Sequence, residues 1–341
     1  VSDDERYARY HQGGRWQGLP VQVRDDAAPH FEPVTAHVFR REPGADARDA
    51  LPDDAPDILM FGVPNTGMMA GQPTNVFLLG YVEQGGPLML VDTGDHGSQQ
   101  ALLDAIAASG IGLSRITRII LTHCHPDHCG NAAMLRQATG APVWAHPLER
   151  AQIERFGNGL VVDHWIEDGE TIEGDGFAVE TIFTPGHSPG HVCLVEPRSR
   201  VLIAGDMISG FGSVGIFPPN GSMRQYIDSL RRLLAADDAV PFSLTCPGHG
   251  PVIPETRAKI EEYIEHRLAR EEEVYAAVAG GAATLKQLLP VIYPGILDHL
   301  SFAARSTLQA NLDKLVEDGR VARDGDSYTV RDAGRSGMTP P

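Results

Sequence analysis

Leu121-Thr122-His123-Cys124-His125-Pro126-Asp127-His128 packs three imidazoles and a carboxylate into six residues, directly behind the apolar run 116–121. That run reads as a buried strand. The end of a core strand cannot hold so many desolvated ionisable groups unless something compensates them. A metal ion is the compensation that fits, because imidazole together with carboxylate suits zinc, and also iron, nickel or manganese.

Three further segments share one design, a strand or turn that delivers a single donor behind a glycine. They are Thr184-Pro185-Gly186-His187, Ala204-Gly205-Asp206 and Cys246-Pro247-Gly248-His249-Gly250. Glycine lets the backbone come close to an ion, and strand C-termini are where α/β folds place their sites. The candidate ligands are therefore His123, His125, Asp127, His128, His187, Asp206 and His249. Five imidazoles and two carboxylates exceed what one tetrahedral zinc uses, and they suit two ions that share a bridging carboxylate.

Around these segments the chain divides into three parts. Residues 1–56 are rich in Asp, Arg and Pro and read as an N-terminal extension with one strand over 34–39. Over 57–254, short apolar runs at 58–61, 76–82, 88–91, 116–121, 143–145, 177–182, 192–195 and 201–204 alternate with helical stretches, which predicts a layered α/β domain. One helix covers 98–108. Another starts at Ser222, where Ser222 and Gln225 fit a capping box and Tyr226, Ile227, Leu230, Leu233 and Leu234 form one apolar stripe for the core. Over 255–341, a long amphipathic helix carrying Ile260, Tyr263, Ile264 and Leu268 precedes a helical stretch at 283–289 and a helix with Leu308, Leu312, Leu315 and Val316. Gly319 ends the last helix, and a hairpin over 320–330 turns at Asp324-Gly325. Helices closed by a terminal hairpin suggest a winged-helix module.

Composition removes several function classes. The 341 residues are 42% hydrophobic and 21% charged, an ordinary enzyme profile with material for more than one core. No apolar run is long enough for a membrane span and the N-terminus lacks a secretory pattern, so a cytoplasmic location is the expectation, although the chain opens on Val and cleavage of a leader would leave no trace. Four cysteines, Cys124, Cys129, Cys193 and Cys246, are too few to staple the chain and read as small buried hydrophobes. The net charge of −17 opposes non-specific nucleic-acid binding. Over 256–341 eleven basic side chains face thirteen acidic ones, without the basic stripe of a groove-reading helix. Packing or homodimerisation is the expected task of that module.

These motifs, together with the upstream Val91-Asp92-Thr93-Gly94, resemble the metallo-β-lactamase superfamily: all five of its motifs stand in order across 57–254. The resemblance implies a four-layer αββα sandwich with its metals at the edge where two sheets meet. Carried over by position, His123, His125 and His187 would hold one metal and Asp127, His128 and His249 the other, with Asp206 bridging. Asp92 would support the metal loop through hydrogen bonds. True β-lactamases often carry Cys where this chain has Asp206, which points away from antibiotics. Tyr263, His266-Arg267 and Arg270-Glu271 with the winged helix resemble the beta-lactamase-like proteins that carry such a tail, a group that includes a mitochondrial endoribonuclease.

The remaining candidates read as support. His191 is expected to donate behind the ligands, His146 to be structural, and His96 to lie near the cleft without facing it, while the Gly- and Pro-rich segment 211–219 is expected to line the substrate pocket. The function expected is a hydrolase with two Zn2+ ions, Fe or Mn being alternatives, whose metal-bound hydroxide cleaves a thioester, lactone or similar bond in a small-molecule substrate. Asp127 and Asp206 would ligate and also accept or relay a proton. Two alternatives use the same scaffold: an endoribonuclease on single-stranded RNA, opposed by the charge, and a mononuclear iron persulfide dioxygenase, opposed by the seven-ligand set.

Overall fold

The computed structural model describes residues 36–39, 54–66, 72–210, 212–296 and 300–331. A seven-stranded sheet runs in chain order: β1 (Ala36–Phe39), β2 (Asp57–Val63), β3 (Thr74–Gly80), β4 (Leu88–Val91), β5 (Ile116–Ile120), β6 (Val143–Ala145) and β7 (His164–Trp165). Pairing is antiparallel from β1 to β4 and parallel from β4 to β7. The second sheet has five strands, β8 (Thr171–Glu173), β9 (Ala178–Phe183), β10 (Val192–Glu196), β11 (Val201–Gly205) and β12 (Leu244–Pro247), and only its β11/β12 pair is parallel.

Period-two alternation sorts these strands into layers. On β2, Leu59, Phe61 and Val63 join Leu78, Leu90 and Ile119 in one core. That core is roofed by helices α1 (Gln99–Ala108), α3 (Ala132–Thr139) and α4 (Arg150–Phe156) through Leu102, Ile106, Leu135 and Ile153; the one-turn helix α2 (Pro126–Cys129) lies between. The opposite residues of β2, Ile58 and Met60, face between the sheets with Phe77, Leu79, Leu194, Val201 and Ile203. Beneath the second sheet, Cys193, Val195, Leu202 and Ala204 meet α5 (Met223–Ala239) through Tyr226, Ile227, Leu230 and Leu233. The order is helix, sheet, sheet, helix, as the resemblance implies. All four cysteines are buried and unpaired within these layers.

Helix α6 (Thr256–Ala279) belongs to both halves of the molecule. Ile260 and Tyr263 complete the core under α5, whereas Val274 and Val278 pack with α7 (Leu285–Ile292), α8 (Ser301–Glu317) and the hairpin β13 (Val321–Asp324) and β14 (Ser327–Val330). The hairpin loop is Gly325-Asp326, one residue later than the dipeptide read from the sequence, because Asp324 still pairs with Ser327 and Gly325 takes the positive φ at the first loop position. Thr284 and Gln287 cap α7 reciprocally; Ser222 caps α5 by accepting the Gln225 N–H. Strand β1 hydrogen-bonds along β2, so the first sheet reaches back into the segment read as an extension. The rest of that segment up to residue 53, and Phe211 in the expected pocket loop, lie outside the described residues. Among the described residues, no helix is long and apolar enough to cross a membrane.

Candidate metal centre

Every candidate ligand sits just beyond a strand end, and local stereochemistry aims it inward. Pro126 opens α2 at a position where no intrahelical N–H is needed, which sets Asp127 and His128 in one tight turn behind β5. Gly186, at φ 134°, lies so close to helix α5 that an added Cβ would fall 2.2 Å from the Tyr226 nitrogen. At Gly248 an added Cβ would fall 2.3 Å from Asp206 Oδ1. These two glycines let His187 and His249 close onto the strand ends that carry the other donors.

The seven side chains converge. His125 Nδ1 lies 3.1 Å from His123 Nε2 and 2.9 Å from His187 Nε2. His249 Nε2 lies 3.3 Å from Asp127 Oδ2, and His128 Nε2 is 3.9 Å from the same oxygen. Asp206 stands between the two sets: Oδ2 is 3.4 Å from His187 Nε2 and 3.5 Å from His249 Nε2, and Oδ1 is 3.3 Å from His128 Nε2. The donor atoms of His123, His125 and His187 lie within 4.8 Å of one another, as do those of Asp127, His128 and His249, and those of His123, His128 and Asp206.

Tautomers follow from the outer partners. His187 Nδ1 donates to the Gly215 carbonyl (2.9 Å), His249 Nδ1 to the Pro73 carbonyl (3.0 Å) and His128 Nδ1 to Asp92 Oδ2 (2.8 Å). Thr122 Oγ1 donates to Asp92 Oδ2 and so accepts from His123 Nδ1 at 3.1 Å. Four rings therefore turn an Nε2 lone pair inward, the arrangement that ligating histidines adopt. The His128 Nε2, His249 Nε2 and Asp206 Oδ1 atoms are buried without a hydrogen-bond partner. Lone pairs that converge unpaired in a buried site fit a divalent cation and fit little else.

Electrostatics agree. Burial opposes a charged ring at His249, but Asp206 and Asp127 outweigh it and hold the pKa up to about 10; at His128, burial is likewise outweighed by Asp206, Asp92 and Asp127. Burial and the neighbouring His125 push His187 down to about 3, and burial with the flanking imidazoles pushes His123 well below its usual range. Beside the two carboxylates either a proton on each ring or a bound cation supplies the positive charge, and only the cation leaves the Nε2 lone pairs of His128 and His249 free to ligate; the other set offers neutral nitrogen donors.

The supporting residues divide into those read from the sequence and those that were not. Asp92 takes the expected role: besides His128, its Oδ1 accepts the Thr122 N–H at 2.8 Å. His191 lies behind the ligands, accepting the Asp206 N–H on Nε2 (3.1 Å) and donating from Nδ1 to Thr184 Oγ1 (2.9 Å). His146 caps the turn after β6 by accepting the Leu148 N–H and stacks on Phe183, 4.4 Å between centroids. Sequence reasoning missed Glu149 and Asn75. Glu149, fully buried, accepts from the N–H groups of Cys124 (2.9 Å) and Gly190 (2.6 Å) and from the Ser188 hydroxyl, tying the His123–His128 turn to the His187 turn. Asn75 donates to the Pro247 and Gly250 carbonyls and holds the His249 turn. Asn75 stands directly before the apolar run 76–82, where a side-chain amide at the head of a core strand was a usable signal; Glu149 left none.

Comparison with known proteins bears on the same residues. The description "Metallo-beta-lactamase superfamily" matches residues 70–249, and "Beta-lactamase associated winged helix domain" matches 284–331. The chain belongs to the metallo-beta-lactamase superfamily. As a member of it, the chain resembles a beta-lactamase-like protein 2 homolog of Caenorhabditis elegans, 30% identical over 266 residues that cover 75% of this chain and 83% of that protein. It also resembles an atrochrysone carboxyl ACP thioesterase of Aspergillus fumigatus, 28% identical over 242 residues, 67% of this chain and 71% of that protein. Among solved structures, a metallo-beta-lactamase family protein of Thermus thermophilus superposes with a TM-score of 0.67 at 26% identity, covering 80% of this chain and 98% of its own. With thioesterases among its relatives, this member of the superfamily is a hydrolase.

Proposed function

We propose that the protein is a dinuclear zinc hydrolase that cleaves a thioester or a related ester-like bond in a small molecule. The observation that carries this reading is the convergence of seven donors into two sets that share Asp206. His123, His125 and His187 would hold one ion, Asp127, His128 and His249 the other, and Asp206 would bridge. Imidazole and carboxylate without thiolate suit zinc. When bound, the pair of ions would supply a water of lowered pKa and polarisation of the substrate carbonyl.

The chain's own side chains do the rest. Thr74 Oγ1, held by Asn65, sits 3.4 Å from Asp127 Oδ2 and orients that carboxylate. Asp127 is the more open of the two acids, so it is the one placed to take the proton that the attacking water gives up. Water and thioester become acid and thiol, and that proton leaves on the thiol. The thioesterase name of one relative supports the substrate class.

Elemental analysis of protein purified without added metal, with activity before and after chelation, tests the reading. About two zinc ions per chain, and thioesterase or lactonase activity lost on chelation and restored by zinc, is the expected result. One iron per chain with oxygen uptake on a persulfide, or salt-sensitive RNA cleavage without ester turnover, would overturn it.

A further inference from the structure

Two ring contacts connect an exposed aromatic side chain of the C-terminal module to a candidate ligand. The Phe217 ring lies edge-on to the His125 ring at 6.4 Å, and Phe302, near the start of α8, stacks on Phe217 at 5.9 Å with 17° between planes. Phe302 is 61% exposed, so its ring, one ring contact removed from Phe217, is open to a ligand. Both halves of the molecule hold this row in place. The Gly215 carbonyl that orients His187 belongs to the same loop, and Gly215 leaves room for Phe217, since an added Cβ would meet that ring at 2.5 Å. From the module, Arg267 donates to the Val214 carbonyl, Thr307 Oγ1 accepts the Ile216 N–H at 3.2 Å, and the Tyr263 hydroxyl donates to the Gly212 carbonyl at 3.0 Å. A loop gripped at three points is preorganised, so the rings it carries do not have to be ordered when a ligand arrives.

We propose that Phe217 and Phe302 form an aromatic shelf that binds the apolar, ring-bearing acyl part of the substrate, which makes Phe302 a specificity-determining residue supplied by the C-terminal module. The inference rests on the ester-hydrolase reading for the position of the scissile bond. The succession of ring contacts starts at a candidate ligand, so an acyl group whose carbonyl reaches the cluster would lay its body against Phe217 and Phe302. A flat aromatic acyl group gains stacking there, whereas an acetyl group is too short to reach Phe302.

The test uses the zinc-loaded full chain and two probes, 2-naphthoate and acetate, measured by calorimetry, together with kcat/KM on the 2-naphthoyl and acetyl thioesters of N-acetylcysteamine. In Phe302→Ala the naphthoate-to-acetate affinity ratio should fall about two- to tenfold, with the naphthoyl-to-acetyl ratio of kcat/KM falling in parallel through KM. Phe302→Tyr, which keeps the ring, should restore both. If the affinity ratio is unmoved in Phe302→Ala, the shelf is refuted while any thioester turnover leaves the hydrolase reading intact. If the affinity ratio falls and no variant cleaves any ester, the shelf stands and the hydrolase reading fails. A Phe302→Ala variant that binds naphthoate normally but changes from dimer to monomer in sedimentation would refute the shelf in favour of self-association.

Discussion

Glu149 shows how much a single buried carboxylate can organise. Its two oxygens take three donors from two separate ligand-bearing turns, so His123, His125 and His187 are held in register by a residue that is itself no ligand candidate. In Glu149→Gln one of those oxygens becomes an NH2 group facing donors. We expect a loss of about 1–3 kcal/mol in urea unfolding with chelator present, and about 10–100-fold weaker zinc binding in a chelator-competition titration. His146 makes a separate case, because burial, opposed by Glu149 and Asp168, lowers its pKa below the usual 6.5. The folded ring refuses a proton that the unfolded chain accepts, so its contribution to stability is complete above about pH 6.5 and is lost as the pH falls toward the lowered value. His146→Gln should therefore lose less stability than the parent between about pH 6.5 and 5 in denaturant titrations at fixed salt. Neither residue's distant partners were legible in the sequence, since Glu149 meets Gly190 across 41 positions and His146 meets Phe183 across a sheet boundary.

Helix α6 shows the same division between local and long-range information. Its apolar spacing, Ile260, Tyr263, Ile264 and Leu268, was sufficient to read it as an amphipathic helix, yet the spacing does not say which body it covers. The structure seats that face under α5 and turns the Tyr263 hydroxyl toward the loop after Asp206, where it accepts the Ser209 N–H at 3.0 Å. Burial pushes the Tyr263 phenol up to about 12, so it stays protonated and able to donate as well as accept. Tyr263→Phe should cost about 1 kcal/mol in urea midpoint with the slope unchanged, and should leave the helix content seen by circular dichroism intact. Strands β7 and β8 escaped the sequence reading because, unlike the equally short run 143–145, neither His164-Trp165 nor Thr171-Ile172-Glu173 is a continuous apolar run. Helix α2 escaped because one turn is too short to show a helical repeat, although Pro126 marks its start.

At the scale of the whole molecule, the winged-helix module is part of the enzyme's framework. Its long helix closes the core under the second sheet, and α8 adds Ala310 to that core and Thr307 to the loop beside the centre. The surface pairs of Arg224 with Glu317 and Asp318 add little to this join, because exposed ion pairs contribute at most about 1 kcal/mol. Truncation after residue 254 would strip Ile260, Tyr263 and Ala310 from the α5 core. We expect the shortened chain to bind a hydrophobic dye and to lose its cooperative thermal transition, whereas a chain that melted cooperatively near the parent midpoint would show the two halves to be independent. A layered α/β domain and the seven candidate donors were legible in the chain itself, because strand alternation and short ligand motifs are local patterns that a linear sequence displays in full, whereas the four-layer order came from the family those motifs resemble. Which ring nitrogens face inward, that Glu149 and Asn75 hold the ligand turns, and that Phe302 stacks on Phe217 came from the tertiary structure alone. Each of these depends on groups tens to hundreds of positions apart being brought within a few ångströms, and a linear pattern does not encode such proximity.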